Sequence, residues 1–354
     1  MAAPAEVGGD PGRFTKGPCD GNIYQGRPGR ASRVSLAEGA PMSSSRGEPK
    51  QKHGHTAKDG VSHGGEALAG HRHADHKHEV RYAEFKLLLK PDELRRMVDA
   101  YRLWSHVQCA VEQAGVRFVP TPGDPPIRQR DIMFFDTPEF DLYEHHFILR
   151  RRTHFRDGWT RSHDELTFKF RHPRVEHVHA ADLRPGVDMP ARVKFKREIL
   201  PLVDRAGGSR HVYTQNCVMA MPSARHAIDV DTLVQFFPGL RSIRTRPGAY
   251  LDLVNRVRVS ETLTEFGVLD FGGGMAGTVN LALWRDTDTS QAIVSEFGFQ
   301  LKFDRLDEKT EARLASAEAF FRSVQHHVAR WLFLGTTKTN LVYRRRGHEV
   351  RNRE

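Results

Sequence analysis

Residues 82–89 read Tyr-Ala-Glu-Phe-Lys-Leu-Leu-Leu, with polar and apolar side chains in alternation. Successive side chains of an extended strand point to opposite faces, so Tyr82, Glu84 and Lys86 share one side and Ala83, Phe85 and Leu87 the other. The apolar side requires a packed layer. The charged side requires water or an enclosed polar space. Similar short extended segments, separated by turn residues, return at 131–135, 147–153, 165–171, 192–200, 240–245, 252–260, 278–284 and 293–303. Many short strands with few helices between them predict a mainly antiparallel sheet or barrel.

Helices flank this pattern. Pro91-Asp92-Glu93 reads as a helix start, and Leu94, Val98, Tyr101 and Trp104 supply an apolar stripe that should end near Gly115. A second helix is expected over about 306–333, with Leu314, Ala317, Phe320, Phe321, Val324 and Val328 on a broad apolar stripe suited to packing on the outside of the barrel. Residues 1–78 hold one Phe, one Tyr and no Trp among many Gly, Ser, Pro, Lys and His. Such a segment buries too little apolar surface to offset its ordering entropy and is expected to be disordered. The expected organisation is therefore a disordered segment 1–78, a barrel domain 79–305, a C-terminal helical segment 306–343 and a basic tail 344–354. Met42, followed by three serines, is an alternative start.

The polar faces of the strands are mainly basic. Arg150 and Arg152 share a side, as do Thr167, Lys169 and Arg171; Lys194, Lys196 and Glu198; Ser242, Arg244 and Arg246; and Glu296, Gly298, Gln300 and Lys302. One strand of this kind is an ordinary amphipathic strand. Basic pairs that recur two residues apart on successive strands repel one another unless a polyanion sits among them, and Arg can grip phosphate with a two-pronged fork while Lys acts as a point charge. The carboxylates Glu84, Glu198 and Glu296 would be out of place in a pure anion site. They suit Mg²⁺ or Mn²⁺, bound through one or two carboxylates, waters and substrate phosphates.

The bulk composition agrees with acidic partners. The chain carries 54 Lys and Arg against 44 Asp and Glu, a net charge of +10. Cys19, Cys109 and Cys217 are scattered without Cys-x-x-Cys spacing, which points away from a disulfide scaffold or zinc knuckle and toward a reducing, cytoplasmic setting. No apolar run approaches the roughly 20 residues of a membrane-spanning helix, and no apolar core follows the N-terminal basic residues as in a secretory leader.

Other clusters have plainer readings. Gly272-Gly273-Gly274-x-x-Gly277 lacks the Gly-Lys-Ser/Thr ending of a phosphate loop and reads as a turn. Asp136 before Thr-Pro reads as a strand-to-turn exit, and Asp229-x-Asp231 as the border of a short helix ending before Pro238-Gly239. Adjacent His pairs at 145–146 and 326–327 diverge on either a strand or a helix. The His-rich stretch between His53 and His78 is a low-complexity tract without defined metal geometry.

Several of these segments, in order, resemble the CYTH superfamily, also called triphosphate tunnel metalloenzymes. Tyr82-x-Glu84-x-Lys86 matches its Glu-x-Glu-x-Lys strand with the first Glu replaced. Phe134-Phe135-Asp136-Thr137 is similar to its Tyr/Phe-Phe-Asp-Thr segment, Leu149-Arg150-x-Arg152 to its Leu-Arg-x-Arg strand, Leu166-Thr167-x-Lys169 to its Leu-Thr-x-Lys strand, and Arg197-Glu198 to its central strand. Arg244 and Arg246 are the candidates for its Lys-x-Arg strand.

The resemblance covers roughly 80–303 and implies an α+β fold: an eight-stranded antiparallel β tunnel with flanking helices. It implies a metal-dependent phosphohydrolase acting on inorganic triphosphate, thiamine triphosphate or a nucleoside triphosphate. Lys86, Arg150, Arg152, Lys169, Arg171, Lys194, Lys196, Arg244 and Arg246 would hold phosphate; Glu84, Glu198 and Glu296 would hold Mg²⁺ or Mn²⁺; Glu84 and Lys86 would be catalytic. Tyr82 carries the alternative, since a phenol with pKa of about 10 is a poor Mg²⁺ ligand: a tunnel that binds polyphosphate or a nucleotide without turnover. Nucleic-acid binding through the basic tails is a weaker third expectation.

Overall fold

A computed structural model describes residues 79–188, 190–222, 229–243 and 249–345. The expected disorder of 1–78 and the tail beyond 345 lie outside them. In chain order the elements are β1 (Tyr82–Leu89), α1 (Met97–Ala114), β2 (Arg117–Pro120), β3 (Ile127–Asp136), α2 (Asp141–Glu144), β4 (Phe147–Arg156), β5 (Trp159–Thr160), β6 (His163–His172), α3 (Val175–Ala180), β7 (Ala191–Leu200) and β8 (Arg210–Pro222). They continue with α4 (Val230–Phe236), β9 (Asp252–Asp270), β10 (Ala276–Asp286), β11 (Ala292–Lys302), α5 (Glu308–His327) and α6 (Lys338–Tyr343).

Nine strands close on themselves in the order β9-β10-β11-β1-β7-β8-β6-β4-β3, with β3 returning to β9. β2 adds to the free side of β9 and β5 to β4. The barrel therefore has nine strands where eight were expected. A ring of alternating directions needs an even number, so an odd ring must contain a parallel pair. That pair is β1 with β7, in which Glu84 lies level with Glu198.

β8 is the strand that the sequence pattern passes over. The segment expected as a strand at 240–245 is instead a 3₁₀ turn over Pro238–Ser242, and residues 244–248 lie outside the described set. The first helix also starts later than Pro91: a 3₁₀ turn spans Pro91–Glu93, and α1 begins at Met97 and stops at Gly115 in the left-handed conformation.

The outer face of β1 is covered by α1 and α5. Phe85 stacks on Phe299 of β11 at 4.5 Å between ring centres and meets Phe321 of α5 at 5.4 Å. Leu314, Ala317, Phe320 and Val324 of α5 join the same buried cluster, as do Leu103, Trp104 and Val107 of α1. Arg197 interrupts the apolar side of β7, and its guanidinium reaches Glu311 of α5 at 2.8 Å. β9 owes its length to a bend at Asn255 and Arg256, both in the left-handed region, where its register with β3 shifts. Farther along, a side chain at Gly267 would sit 2.4 Å from the Val119 carbonyl oxygen, so only glycine admits β2 here.

Asp136 does the structural work expected of it. Its buried carboxylate accepts backbone N–H groups of Thr137, Leu142 and Tyr143, and it accepts the Tyr343 hydroxyl at 2.9 Å. Burial, only partly offset by these donors, pushes its pKa up to about 7. Asp229 caps α4 by accepting the Thr232 N–H, and Gly272–Gly274 turn β9 into β10. Among the described residues no helix is long and apolar enough to cross a membrane.

Candidate functional site

Strand alternation turns one side of every barrel strand inward, where a cavity of about 320 Å³ remains. Among the described residues ten cationic side chains line it: Lys86, Arg130, Arg150, Arg152, Lys169, Arg171, Arg192, Lys194, Lys196 and Lys338. Five carboxylates accompany them: Glu84, Glu165, Glu198, Glu261 and Glu296. Every expected site residue among the described ones opens onto this one chamber. Arg244 and Arg246 lie outside the described residues.

Two charge networks occupy the walls. In the first, Glu198 is fully buried and receives Lys86 at 3.0 Å, Lys169 at 2.8 Å and Arg171 at 2.9 Å. Burial alone would raise its pKa; Arg171, Lys169 and Lys86 outweigh it and hold the carboxyl well below the usual range. Glu84 is held low in the same way by Lys196 and Lys86, at 3.3 and 3.0 Å. Lys196 also donates to the Gln300 side-chain oxygen at 2.7 Å. Lys86 keeps its proton firmly, since Glu198 and Glu84 overcome its burial. For Lys169 the balance reverses: burial wins over Glu198, Arg171 and Lys86 add repulsion, and its pKa falls to about 8.

The second network joins β3, β4, β6, β9, β10 and β11. Arg152 meets Glu165 at 3.0 Å, and Arg130 meets Glu261, whose other oxygen accepts the Trp284 indole N–H at 2.7 Å. Lys338 enters from α6. Its ammonium lies 2.6 Å from Glu296, 3.8 Å from Glu261 and 4.6 Å from the centre of the Trp284 ring.

Arg150 differs from both networks. Its contact is the Thr167 hydroxyl at 3.4 Å, and no carboxylate lies within ion-pair distance among the described residues. Burial first, then repulsion from Arg152 and Arg130, outweighs the attraction of Glu165 and Glu261 and brings its pKa down to about 9. An enclosed guanidinium that no carboxylate pairs directly is the kind of group that an anionic ligand relieves.

The expected metal set does not assemble. Glu84 and Glu198 are neighbours across the parallel pair, and Glu296 on β11 is paired with Lys338. Each of the five carboxylates is engaged by Lys or Arg, and no group of three His, Cys, Asp or Glu side chains among the described residues converges on one point. A divalent cation needs several oxygen ligands at close range, so this donor set does not fit one. Tyr82, in place of the hallmark Glu, presents its ring to the Lys194 ammonium at 5.1 Å.

Sequence reasoning missed Arg130, Glu165, Arg192, Glu261 and Lys338. The first four share parity with inward residues on their own strands. Glu165 stands in line with Thr167 and Lys169, and Arg192 with Lys194 and Lys196. Arg130 and Glu261 fall just beyond the strand ends drawn at 131 and 260. Lys338 lies in no strand pattern.

Family models and curated proteins give no match to this chain. Among solved structures, a protein from Pyrococcus horikoshii OT3 aligns with 74% of this chain and 99% of its own, at 13% identity and a TM-score of 0.32. A candidate adenylyl cyclase from Hippeastrum, described as having a dominant triphosphatase activity, aligns with 75% of this chain and 95% of its own, at 12% identity and a TM-score of 0.34. A candidate adenylate cyclase from Bacillus halodurans aligns with 73% and 95%, at 10% identity and a TM-score of 0.31.

Proposed function

We propose that the barrel receives a triphosphate-containing molecule, inorganic or carried by a nucleoside or by thiamine, as the strand motifs shared with triphosphate tunnel metalloenzymes imply. The observation that carries this reading is Arg150, a half-buried guanidinium that no carboxylate pairs within ion-pair distance among the described residues, in a chamber where their cations outnumber their carboxylates two to one. A linear phosphate chain supplies the missing negative charge along several strands at once. Arg150 and Arg152 suit a two-pronged grip on one phosphoryl group; Lys169, Arg171 and Lys196 suit point contacts along the rest.

The reaction class that such a charge distribution favours is transfer of a phosphoryl group to water. In that chemistry the protein's contribution is mostly positioning and stabilisation of spread negative charge. Arg130, Arg150 and Arg152 would meet the charge that develops on the transferred group. No chamber carboxylate is free of a Lys or Arg partner, so none is poised as a general base in this state. The second reading is retention without turnover, and the ring of Tyr82 at the hallmark position favours it.

The test is a phosphate-release screen over tripolyphosphate, ATP and thiamine triphosphate, run beside direct binding measurements. Binding lost in Arg150→Ala, in a protein that still folds, is expected. Full binding in that variant refutes the site. Release of phosphate from any of the three substrates selects turnover over retention.

A further inference from the structure

We infer that this chamber holds a tripolyphosphate chain without a divalent cation, with tethered ammonium groups in the positions where a metal would be needed. The inference rests on the reading of the barrel as a triphosphate receptacle and departs from what the family resemblance implies.

The first observation is charge. Ten cationic against five carboxylate side chains leave a surplus of five positive charges on the chamber wall. A tripolyphosphate carries roughly four to five negative charges near neutral pH, about −1.5 to −2 on each end group and one in the middle. The wall and the chain therefore neutralise one another. A divalent cation would return the enclosed space to a positive excess, at a cost that grows as the dielectric falls.

The second observation is where the carboxylates are spent. Glu296 and Glu261 form a two-carboxylate wall that a hard cation would take at about 2.0–2.1 Å. Lys338 already stands there, 2.6 Å from Glu296 and 3.8 Å from Glu261, over the face of Trp284. Among the described residues Lys338 is the one lining cation that no barrel strand carries. Its helix is fastened: Asn340 donates to the Tyr143 hydroxyl at 3.1 Å, Tyr343 donates to Asp136, and Asn255 donates to the carbonyls of Val342 and Tyr343. Farther along β11, Lys196 of β7 bridges Glu84 and Gln300 in the same manner. A metal would have to displace an ammonium that the fold holds in place.

The test is calorimetric titration of the full chain with sodium tripolyphosphate, once in chelator and once in excess Mg²⁺. Binding in chelator is expected, and in excess Mg²⁺ it should weaken, because the metal sequesters tripolyphosphate in solution while the chain carries its own counter-charge. Binding seen only with Mg²⁺, or tightened more than tenfold by it, overturns the inference and leaves the receptacle intact. Absence of binding in both conditions overturns both. Lys338→Met supplies a second measurement: it should gain a Mn²⁺ site, read by electron paramagnetic resonance without any substrate, while wild type and Lys338→Arg show none. Strong Mn²⁺ binding by the wild type, or none gained by a folded Lys338→Met, counts against the tethered cation.

Discussion

Arg150 and Arg152 stand two residues apart on the inner face of β4, and only Arg152 has a carboxylate, Glu165 at 3.0 Å. Neighbouring groups of the same chemistry thus face different electrostatic conditions. Arg152 is built into the wall by its ion pair, while Arg150 rests on the Thr167 hydroxyl.

Removing that charge should therefore stabilise the empty protein. Arg150→Met keeps most of the side-chain volume and ends the desolvation of an unpaired guanidinium, a gain of about 1 kcal/mol. For a domain of this size that raises Tm by roughly 2–4 °C. Tripolyphosphate affinity should fall about 10- to 100-fold at the same time, as for loss of a charge-assisted hydrogen-bond pair. A thermal scan and a titration read the two effects. A variant that loses both stability and affinity would show that Arg150 is structurally paired.

Glu198→Gln should behave in the opposite way. It leaves Lys86, Lys169 and Arg171 facing one another around a neutral amide. Breaking a buried ion network from one side costs on the order of 3–5 kcal/mol. Chemical denaturation would register this as a lower midpoint at unchanged slope. Added tripolyphosphate should recover part of the loss, since it supplies counter-charge to the three cations.

Lys169 gives a pH dependence whose sign is fixed. Its pKa is about 8 in the folded chain against an ordinary value near 10.5. Between those values the unfolded chain binds more protons, so this group makes the free protein more stable as pH rises from 8 toward 10.5. Phosphate binding needs the ammonium, so binding at pH 9 should take up a proton. Calorimetry in buffers of differing ionisation enthalpy measures the uptake, and Lys169→Met should reduce it. Equal uptake in both proteins would assign the proton elsewhere.

Tyr82→Glu tests the departure from the hallmark strand. The new carboxylate would share a face with Glu84, one step from the level of Glu198. It should create Mn²⁺ affinity and metal-stimulated phosphate release above that of the wild type. If metal has no effect on the variant, the residue at 82 is not what separates this chamber from a metal site.

Strict alternation makes the inner faces of β1, β4, β6, β7 and β11 readable from the sequence, and ten of the twelve expected site residues meet in one chamber, the other two, Arg244 and Arg246, lying outside the described residues. Closure is less readable. The nine-strand ring depends on β8, where Gln215 and Cys217 share one face and Thr214, Asn216 and Val218 the other, too weak a contrast to mark a strand. The partners of the inward carboxylates are less readable for a related reason. Spacing reports which carboxylates face inward, but not that Lys196, from a strand over a hundred residues away, occupies Glu84, or that Lys338 occupies Glu296. Lys338 reaches its place through the anchoring of α6 on Tyr143, Asp136 and Asn255, which no local pattern encodes.

The parallel pair in the ring also bears on how this chain is made. Among the described residues β1 is the first strand to leave the ribosome, yet its two neighbours are β7, around residues 196–199, and β11, at residues 295–302. The β7 edge can pair midway through synthesis, but the β11 edge stays unpaired until nearly the whole barrel has been made, and that seam carries Glu84 and Lys86. Such long-range closure is slow and exposes a strand whose far side is Phe85, Leu87 and Leu89. Any shortened version ending before residue 295 would keep that seam open, and with it a sticky edge rather than a receptacle.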